Sequence, residues 1–242
     1  MNIKFLIIVP HGFRDSRIKL RHNDIRALET AEKLQKKISS MGYSSDFYVA
    51  DKLRSTIDYN REVSRFTHLR NNIRRKLHGY HSKGDYIIVL EIHSFPDNYT
   101  FYDFKGSSIA LLSIPEYFNK ANLLSKYVNK NTKLNTIALE GTETHDIQID
   151  TSKEIPDNIE HYLIEFHENK SVLSDKEIDL FLNKSIKFLL GDEPKENKKS
   201  MFGIAATIII SLFIICVYIY IDNKTSRIVN KSSINNNYNE SM

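Results

Sequence analysis

The chain has 242 residues, of which 41% are hydrophobic and 26% are charged. These ordinary values exclude a wholly disordered chain and a fibrous rod. The 34 basic and 30 acidic residues give a formal net charge of +4, so the composition does not indicate a nucleic-acid-binding protein. Cys216 is the single cysteine, which excludes an intramolecular disulfide and a cysteine-rich zinc site. A metal site would have to use His, Asp and Glu.

The first half of the chain alternates short apolar runs with amphipathic segments. Residues 3–9 predict a strand that is buried on both faces, and Pro10 ends this run too early for a signal peptide. A helix is predicted over 24–41, where apolar residues recur every three or four positions and Gly42 follows as the terminator. The next predicted elements are a strand over 46–50, a basic helix over 62–80 and a buried strand over 86–92.

The second half continues the alternation of strands and helices. The predicted elements are a strand over 108–113, a helix over 116–128, a strand over 161–166 and an amphipathic helix over 175–190. This order predicts one layered α/β domain over residues 1–190 with a mainly parallel sheet. Residues 191–200 are polar and charged, without apolar periodicity, and predict a linker.

Residues 201–221 form an apolar run without a charged residue. A helix of this length spans about 30 Å, which matches the hydrocarbon core of a bilayer. The run therefore predicts a single transmembrane helix, followed by a polar tail over 222–242. This is the layout of a tail-anchored membrane protein, so we expect the domain over 1–190 to face the cytosol.

Two histidines follow predicted strands. His11 comes directly after the strand over 3–9, and His93 comes directly after the strand over 86–92. Ligands of parallel α/β sheets gather at the carboxyl ends of the strands, so both side chains are expected at one edge. A hydrolytic zinc site uses three protein ligands and leaves one position for water. Asp15 and Asp24 are the candidates for the third ligand, although Asp24 could equally cap the predicted helix.

Four segments share a recognisable order along the chain. They are Pro10-His11-Gly12, the segment Arg54-Ser-Thr-Ile-Asp58-Tyr-Asn60-Arg61, His93-Ser94 and Leu163-Ile164-Glu165. In these segments, and over residues 3–190, the chain resembles the N-formylglutamate amidohydrolase family, which is related to the zinc carboxypeptidases. The resemblance implies a three-layer, zinc-carboxypeptidase-like domain with a mixed sheet. It also implies Zn²⁺ as the cofactor and hydrolysis of C–N amide bonds in a small N-acyl amino acid or a peptide.

The resemblance also implies a set of metal ligands. His11 and His93 match the two zinc-binding histidines of the family. Arg14 stands where the carboxypeptidase spacing would place the third ligand. An aspartate near the position of Asp24 recurs in the amidohydrolases, so Asp24 is preferred, and Asp15 stays open.

The remaining site residues are assigned in the same way. Glu165 matches the catalytic glutamate, and burial in its apolar strand would raise its pKa towards the range of a general acid–base. Arg61 would polarise the scissile carbonyl or hold a substrate carboxylate with its planar guanidinium. Asn60 and Arg54 are predicted to bind substrate. His145, in the polar loop over 140–146, is a further predicted substrate contact.

Two other readings of the sequence stay open. The irregular third ligand favours a catalytically inactive, membrane-tethered scaffold or binding module that retains the fold. Alternatively, the basic helix around 65–76 could bind a membrane surface, which predicts lipid binding without His11 or His93. The metal content of the protein distinguishes the enzyme from the scaffold.

Overall fold

The computed structural model describes residues 2–13, 24, 26–61, 64–98, 103–141, 146–154 and 157–191. In chain order its elements are β1 (Ile3–Val9), α1 (Ala27–Ser40), β2 (Ser45–Val49), α2 (His68–His81), β3 (Tyr86–Phe95), β4 (Ile109–Ser113), α3 (Pro115–Asn131), β5 (Thr136–Glu140), α4 (Asp146–Glu154), β6 (Ile159–His167) and α5 (Asp175–Leu189). All of these elements lie in one compact unit, Met1–Asp192.

The strands form a six-stranded sheet in the order β2-β1-β3-β6-β4-β5. Strands β2, β1, β3 and β6 are parallel to one another. Helix α1 connects β1 to β2 and α2 connects β2 to β3, whereas the chain from β3 to β6 passes through β4, α3, β5 and α4. Strand β4 runs antiparallel to β6, and β5 pairs parallel to β4 at the sheet edge. The predicted α/β class with a mainly parallel, mixed sheet is therefore confirmed.

Helices cover both faces of the sheet. Helices α1, α3 and α5 pack on one face, against strand residues such as Ile7 and Ile88. Helix α2 and Ile147 of α4 pack on the other face, against residues such as Leu6 and Val89. Because both sides of the central strands are buried, the sequences of these strands are nearly continuous apolar runs. The result is a three-layer arrangement with the sheet in the middle.

The main differences from the predicted elements lie at ends and edges. Strand β3 continues to Phe95, so His93 lies inside the strand and not after it. Helix α2 begins at His68, where the Thr67 side chain accepts a hydrogen bond from the Arg70 backbone. Strand β5 and helix α4 were not predicted. Gly42 has a φ of 84°, as the predicted helix terminator requires.

The predicted membrane segment lies outside the described residues, as does most of the predicted linker over 191–200 and the whole tail over 222–242. Within the described part of the chain, no helix is both long enough and apolar enough to cross a membrane.

One buried carboxylate ties β3, β6 and α3 together on the face opposite α2. Glu160 of β6 is 8% exposed and accepts hydrogen bonds from the Tyr162 hydroxyl at 2.6 Å and from the Tyr86 hydroxyl. The ammonium of Lys120 on α3 lies 2.8 Å from the same carboxylate. Burial opposes the charge on Glu160, but these three donors outweigh it and lower the pKa of the carboxyl.

We expect Glu160→Gln to lower the free energy of unfolding at neutral pH by about 1–3 kcal/mol, because an amide is a weaker acceptor than a carboxylate. A depressed pKa in the folded state stabilises the protein above the pKa of the unfolded carboxyl. That stabilisation is lost as the pH falls from this value through the lower pKa of the folded carboxyl, so the difference from wild type should shrink below about pH 4. Urea denaturation across this pH range measures it. The exposed Glu32→Gln on α1 serves as control, and a difference that does not change with pH would contradict the assignment.

Candidate functional site

His11 and His93 lie near the carboxyl ends of their strands, on the same side of the sheet, because these strands are parallel neighbours. Strand β1 pairs with β3 in register, and His11 follows β1 by two residues. The chain turns sharply at Gly12, where a Cβ atom would lie only 2.5 Å from Val9 Cγ1. A side chain at position 12 would therefore force either Val9 or the turn that presents His11 to shift.

Asp24, just ahead of α1, lies between the two imidazoles. Its Oδ2 atom is 3.3 Å from His11 Nδ1 and 2.8 Å from His93 Nδ1. All three side chains are buried, and their possible ligand atoms lie within 4.8 Å of one another. The structure thus brings together the three residues that the sequence analysis selected as a metal group. Asp15, the alternative third ligand, lies outside the described residues.

The second nitrogen of each ring contacts a different carboxylate. His11 Nε2 lies 2.8 Å from Asp58 Oδ1, and His93 Nε2 lies 2.9 Å from Glu91 Oε1. Metal-binding histidines commonly donate their other N–H to a carboxylate in this way. With both Nε2 atoms protonated, the two Nδ1 lone pairs point towards Asp24, and this is favourable only if a proton or a cation lies between them.

The ionisable groups of the cluster compensate one another's charge. Burial opposes ionisation of Asp24, but His11 and His93 outweigh it and hold its pKa well below the usual range. Burial likewise opposes a charge on His93, but hydrogen bonds to Asp24 and Glu91 outweigh it and raise its pKa well above the usual value. The donor set, two imidazole nitrogens and one carboxylate, fits a divalent metal ion.

Glu165 lies beside this group on the adjacent strand. It is the register partner of His93 in the β3–β6 pair. The side chain is 7% exposed, and its Oε2 atom has no hydrogen-bond partner within the described part of the chain. Burial, together with the negative charge of Asp24, raises the pKa of Glu165 to about 7, although the nearby imidazoles act in the opposite direction. A carboxyl group with this pKa can both release and accept a proton near neutral pH.

The segment over 54–61 places further polar groups against the two imidazoles. The side-chain amide nitrogen of Asn60 (Nδ2) lies 3.1 Å from His93 Nε2, and the Asn60 backbone N–H donates to Asp58. Arg54 lies 3.4 Å from Asp58 and 3.7 Å from Asp24. Arg61 lies 3.7 Å from Asp58, and its side chain is 36% exposed. All four side chains therefore belong to the site region, whereas His145 lies outside the described residues.

A buried arginine holds this segment in place. Arg70 of α2 is 2% exposed and donates to the Tyr59 carbonyl at 3.0 Å and to the Ser64 hydroxyl at 3.1 Å. Its other terminal nitrogen pairs with Asp150 of α4. The backbone between Asp58 and Asn60 is thus anchored to two helices.

Two buried polar residues of this region were not selected from the sequence. Glu91 is fully buried and accepts hydrogen bonds from both His93 and His161. One signal was available, because Glu91 interrupts an apolar run and stands two residues before His93, on the same face of the strand. No local signal connected His161 to Glu91.

No family model matches the sequence, and no curated protein matches it. Among solved structures, the gene product Atu2144 from Agrobacterium tumefaciens has a TM-score of 0.54 at 15% identity, covering 76% of this chain and 91% of that chain. N-acetylmuramoyl-L-alanine amidase AmiC2 of Nostoc punctiforme has a TM-score of 0.43 at 11% identity, with coverages of 77% and 97%. A mutant pyrrolidone carboxyl peptidase from Pyrococcus furiosus has a TM-score of 0.43 at 9% identity, with coverages of 78% and 99%. The likeness to Atu2144 shows a shared fold, and the other two are too distant to support an inference.

We expect Arg70→Leu to destabilise the protein by about 3 kcal/mol, because it leaves the buried Asp150 with weaker compensation. Arg65 and Arg74 remain within 3.8 Å of Asp150, which keeps the loss from being larger. Chemical denaturation measures the change, with Arg75→Leu on the exposed face of α2 as control. The double variant Arg70→Met/Asp150→Leu should recover most of the loss. No recovery would show that Arg70 acts mainly through its bonds to Tyr59 and Ser64.

Proposed function

We propose that this chain is a membrane-anchored, zinc-dependent hydrolase of C–N amide bonds in N-acyl amino acids or peptides. One observation carries the proposal: three buried residues that can ligate a metal lie beside a buried, partly protonated carboxyl group. A hydrolytic metal site needs a metal that activates water and a nearby group that transfers protons. The order of the matching segments in the sequence supports the same reading.

His11, Asp24 and His93 would hold the ion. A bound zinc ion would lower the pKa of a water molecule and polarise the scissile carbonyl. Glu165 would take the proton from the attacking water at Oε2, which has no hydrogen-bond partner among the described residues, and pass it to the leaving nitrogen. Its pKa of about 7 suits both halves of this transfer.

Recognition of the substrate would fall to the segment over 54–61. Arg61 and Arg54 carry planar guanidinium groups that suit a carboxylate, the group shared by N-acyl amino acids and peptide termini. Both side chains are partly exposed next to the buried ligands. Asn60 lies against His93 and would bind substrate there, while a contact from His145 remains a prediction from the sequence.

Glu165 argues for an enzyme over an inactive scaffold. A buried carboxyl oxygen without a hydrogen-bond partner costs free energy of folding. A scaffold would gain stability from an apolar residue at this position, like the neighbouring Ile164 and Phe166. A role in catalysis would account for a carboxyl group at this position despite its cost in stability.

The proposal predicts zinc in the full-length chain purified in a mild detergent. Elemental mass spectrometry should find zinc at a one-to-one ratio in wild type and in Glu165→Gln, and should find none in His11→Ala or His93→Ala. Hydrolysis of N-acyl amino acids or peptides should fall by about 10²–10⁴-fold in Glu165→Gln. The exposed His81→Ala on α2 is the matched control and should retain both zinc and activity.

Two results would contradict this proposal. If folded wild-type protein takes up no metal, even with added zinc, the inactive tethered scaffold would be the remaining hypothesis. Zinc binding without any hydrolysis that depends on Glu165 would indicate a metal-binding module.

The membrane anchor is proposed from the apolar run over 201–221 and has its own test. We expect the full chain to sediment with membranes and to resist extraction by alkaline carbonate, as an inserted helix does. Deleting 201–242 should release the protein, whereas deleting only 222–242 should leave it bound. If membrane association survives loss of the apolar run, the basic surface of α2 would be the membrane-binding element instead.

A further inference from the structure

A single carboxylate connects two buried imidazoles on neighbouring central strands. Glu91 of β3 has no solvent exposure, and His161 of β6 is 1% exposed. Glu91 Oε1 lies 2.9 Å from His93 Nε2, and its Oε2 atom lies 3.0 Å from His161 Nε2. Each oxygen of Glu91 therefore has an imidazole donor.

Burial dictates where the hydrogens of these rings lie. A fully desolvated carboxylate is tolerated only when donors satisfy it, and at Glu91 both rings serve as donors through Nε2–H. His93 must then keep Nδ1 for the opposite side, where Asp24 lies at 2.8 Å. The Nδ1 atom of His161 has no partner within the described residues, whereas its Nε2 atom contacts Glu91.

We propose that Glu91 and His161 form a positioning pair that holds the His93 ring with Nδ1 facing Asp24 and thereby sets the metal affinity of the site. The inference rests on the proposed function, because it assumes that this group binds a metal. His161 contributes by fixing the second carboxylate oxygen, so that Glu91 cannot rotate away from His93.

The corresponding partner of His11 is arranged differently. Asp58 has a side chain that is 22% exposed, and it is shared with Arg54 and with the backbone of Asn60. Within the described residues, the hydrogen-bond donors to Glu91 are the two imidazole rings, and the side chain has no solvent exposure. Its hydrogen bond to His93 is therefore less screened, and removing it should affect the site more strongly.

A merely structural role would not explain this pair. A buried ion pair or hydrogen-bonded charge in a sheet interior is commonly no more stabilising than apolar residues of similar volume. The adjacent positions of β3 are apolar and fully buried. The cost of a charged residue at Glu91 is understandable if its task is to orient a ligand.

The test is the zinc dissociation constant of the full-length chain in detergent, measured by competition with a chromogenic chelator. We expect Glu91→Gln to bind zinc about 10–100-fold more weakly than wild type. Glu160→Gln is the matched control, because it makes the same change at a buried carboxylate of the same sheet. It should lose stability and retain zinc affinity. In the zinc-loaded protein, ¹⁵N NMR should show His93 protonated at Nε2 in wild type and altered in Glu91→Gln.

Variants of His161 test the second half of the pair. His161→Gln retains an N–H donor for Glu91 and should bind zinc nearly as wild type does, whereas His161→Leu should weaken binding. The double variant Glu91→Gln/His161→Leu should lose less affinity than the two single losses combined, because the residues act as a unit.

The outcomes separate the two proposals. Wild-type protein that binds no zinc overturns the proposed function, and this inference with it. Zinc binding by wild type with unchanged affinity and an unchanged His93 spectrum in Glu91→Gln overturns the inference alone. An equal loss of affinity in Glu160→Gln also overturns it, because general destabilisation would then explain the effect.

Discussion

The buried carboxylate of Asp24 is the constraint on which the site depends. A desolvated charge of this kind must be compensated, and here the two imidazoles of His11 and His93 provide the compensation. Because these residues come from three separate segments, the same contacts join the start of α1 to the carboxyl ends of β1 and β3. The fold and the site thus share one interaction.

The two faces of the sheet carry different kinds of side chains: one face carries the larger apolar core, and the other carries the polar residues of the candidate site. The face under α1, α3 and α5 carries the larger apolar core, including Leu90 and Ile164 of the central strands. On the other face, the same two strands carry the polar residues Glu91, His93 and Glu165. This division follows from the period of two along a strand, because alternate residues face opposite sides. A central strand can therefore supply ligands on one face without interrupting the core on the other.

The sequence allowed five of the six strands, most helices and the two histidines to be predicted, because these depend on local pattern and on the rule for strand ends. The choice of Asp24 came from the family resemblance. Other features depend on contacts between distant residues. Strand β3 continues past His93 because β6 pairs with it there, and no local apolar pattern signals that pairing. Strand β5 is short and only half buried at the sheet edge, so its pattern is weak. The partner of Glu91 is 70 residues away at His161, beyond the reach of any local motif.

Asp24 and Glu165 are both buried carboxyl groups, but their surroundings shift their pKa values in opposite directions. Both carboxyl groups are buried in the same region, and burial raises the pKa of each. Asp24 has two imidazole partners, which reverse the effect and keep it ionised, as a metal ligand must be. Glu165 has an oxygen with no partner in the described chain, so burial prevails and its pKa is about 7. Environments that separate two carboxyl pKa values in this way assign ligand and proton carrier by physics. In the proposed reaction, this contrast would make Glu165 the proton carrier and Asp24 a metal ligand.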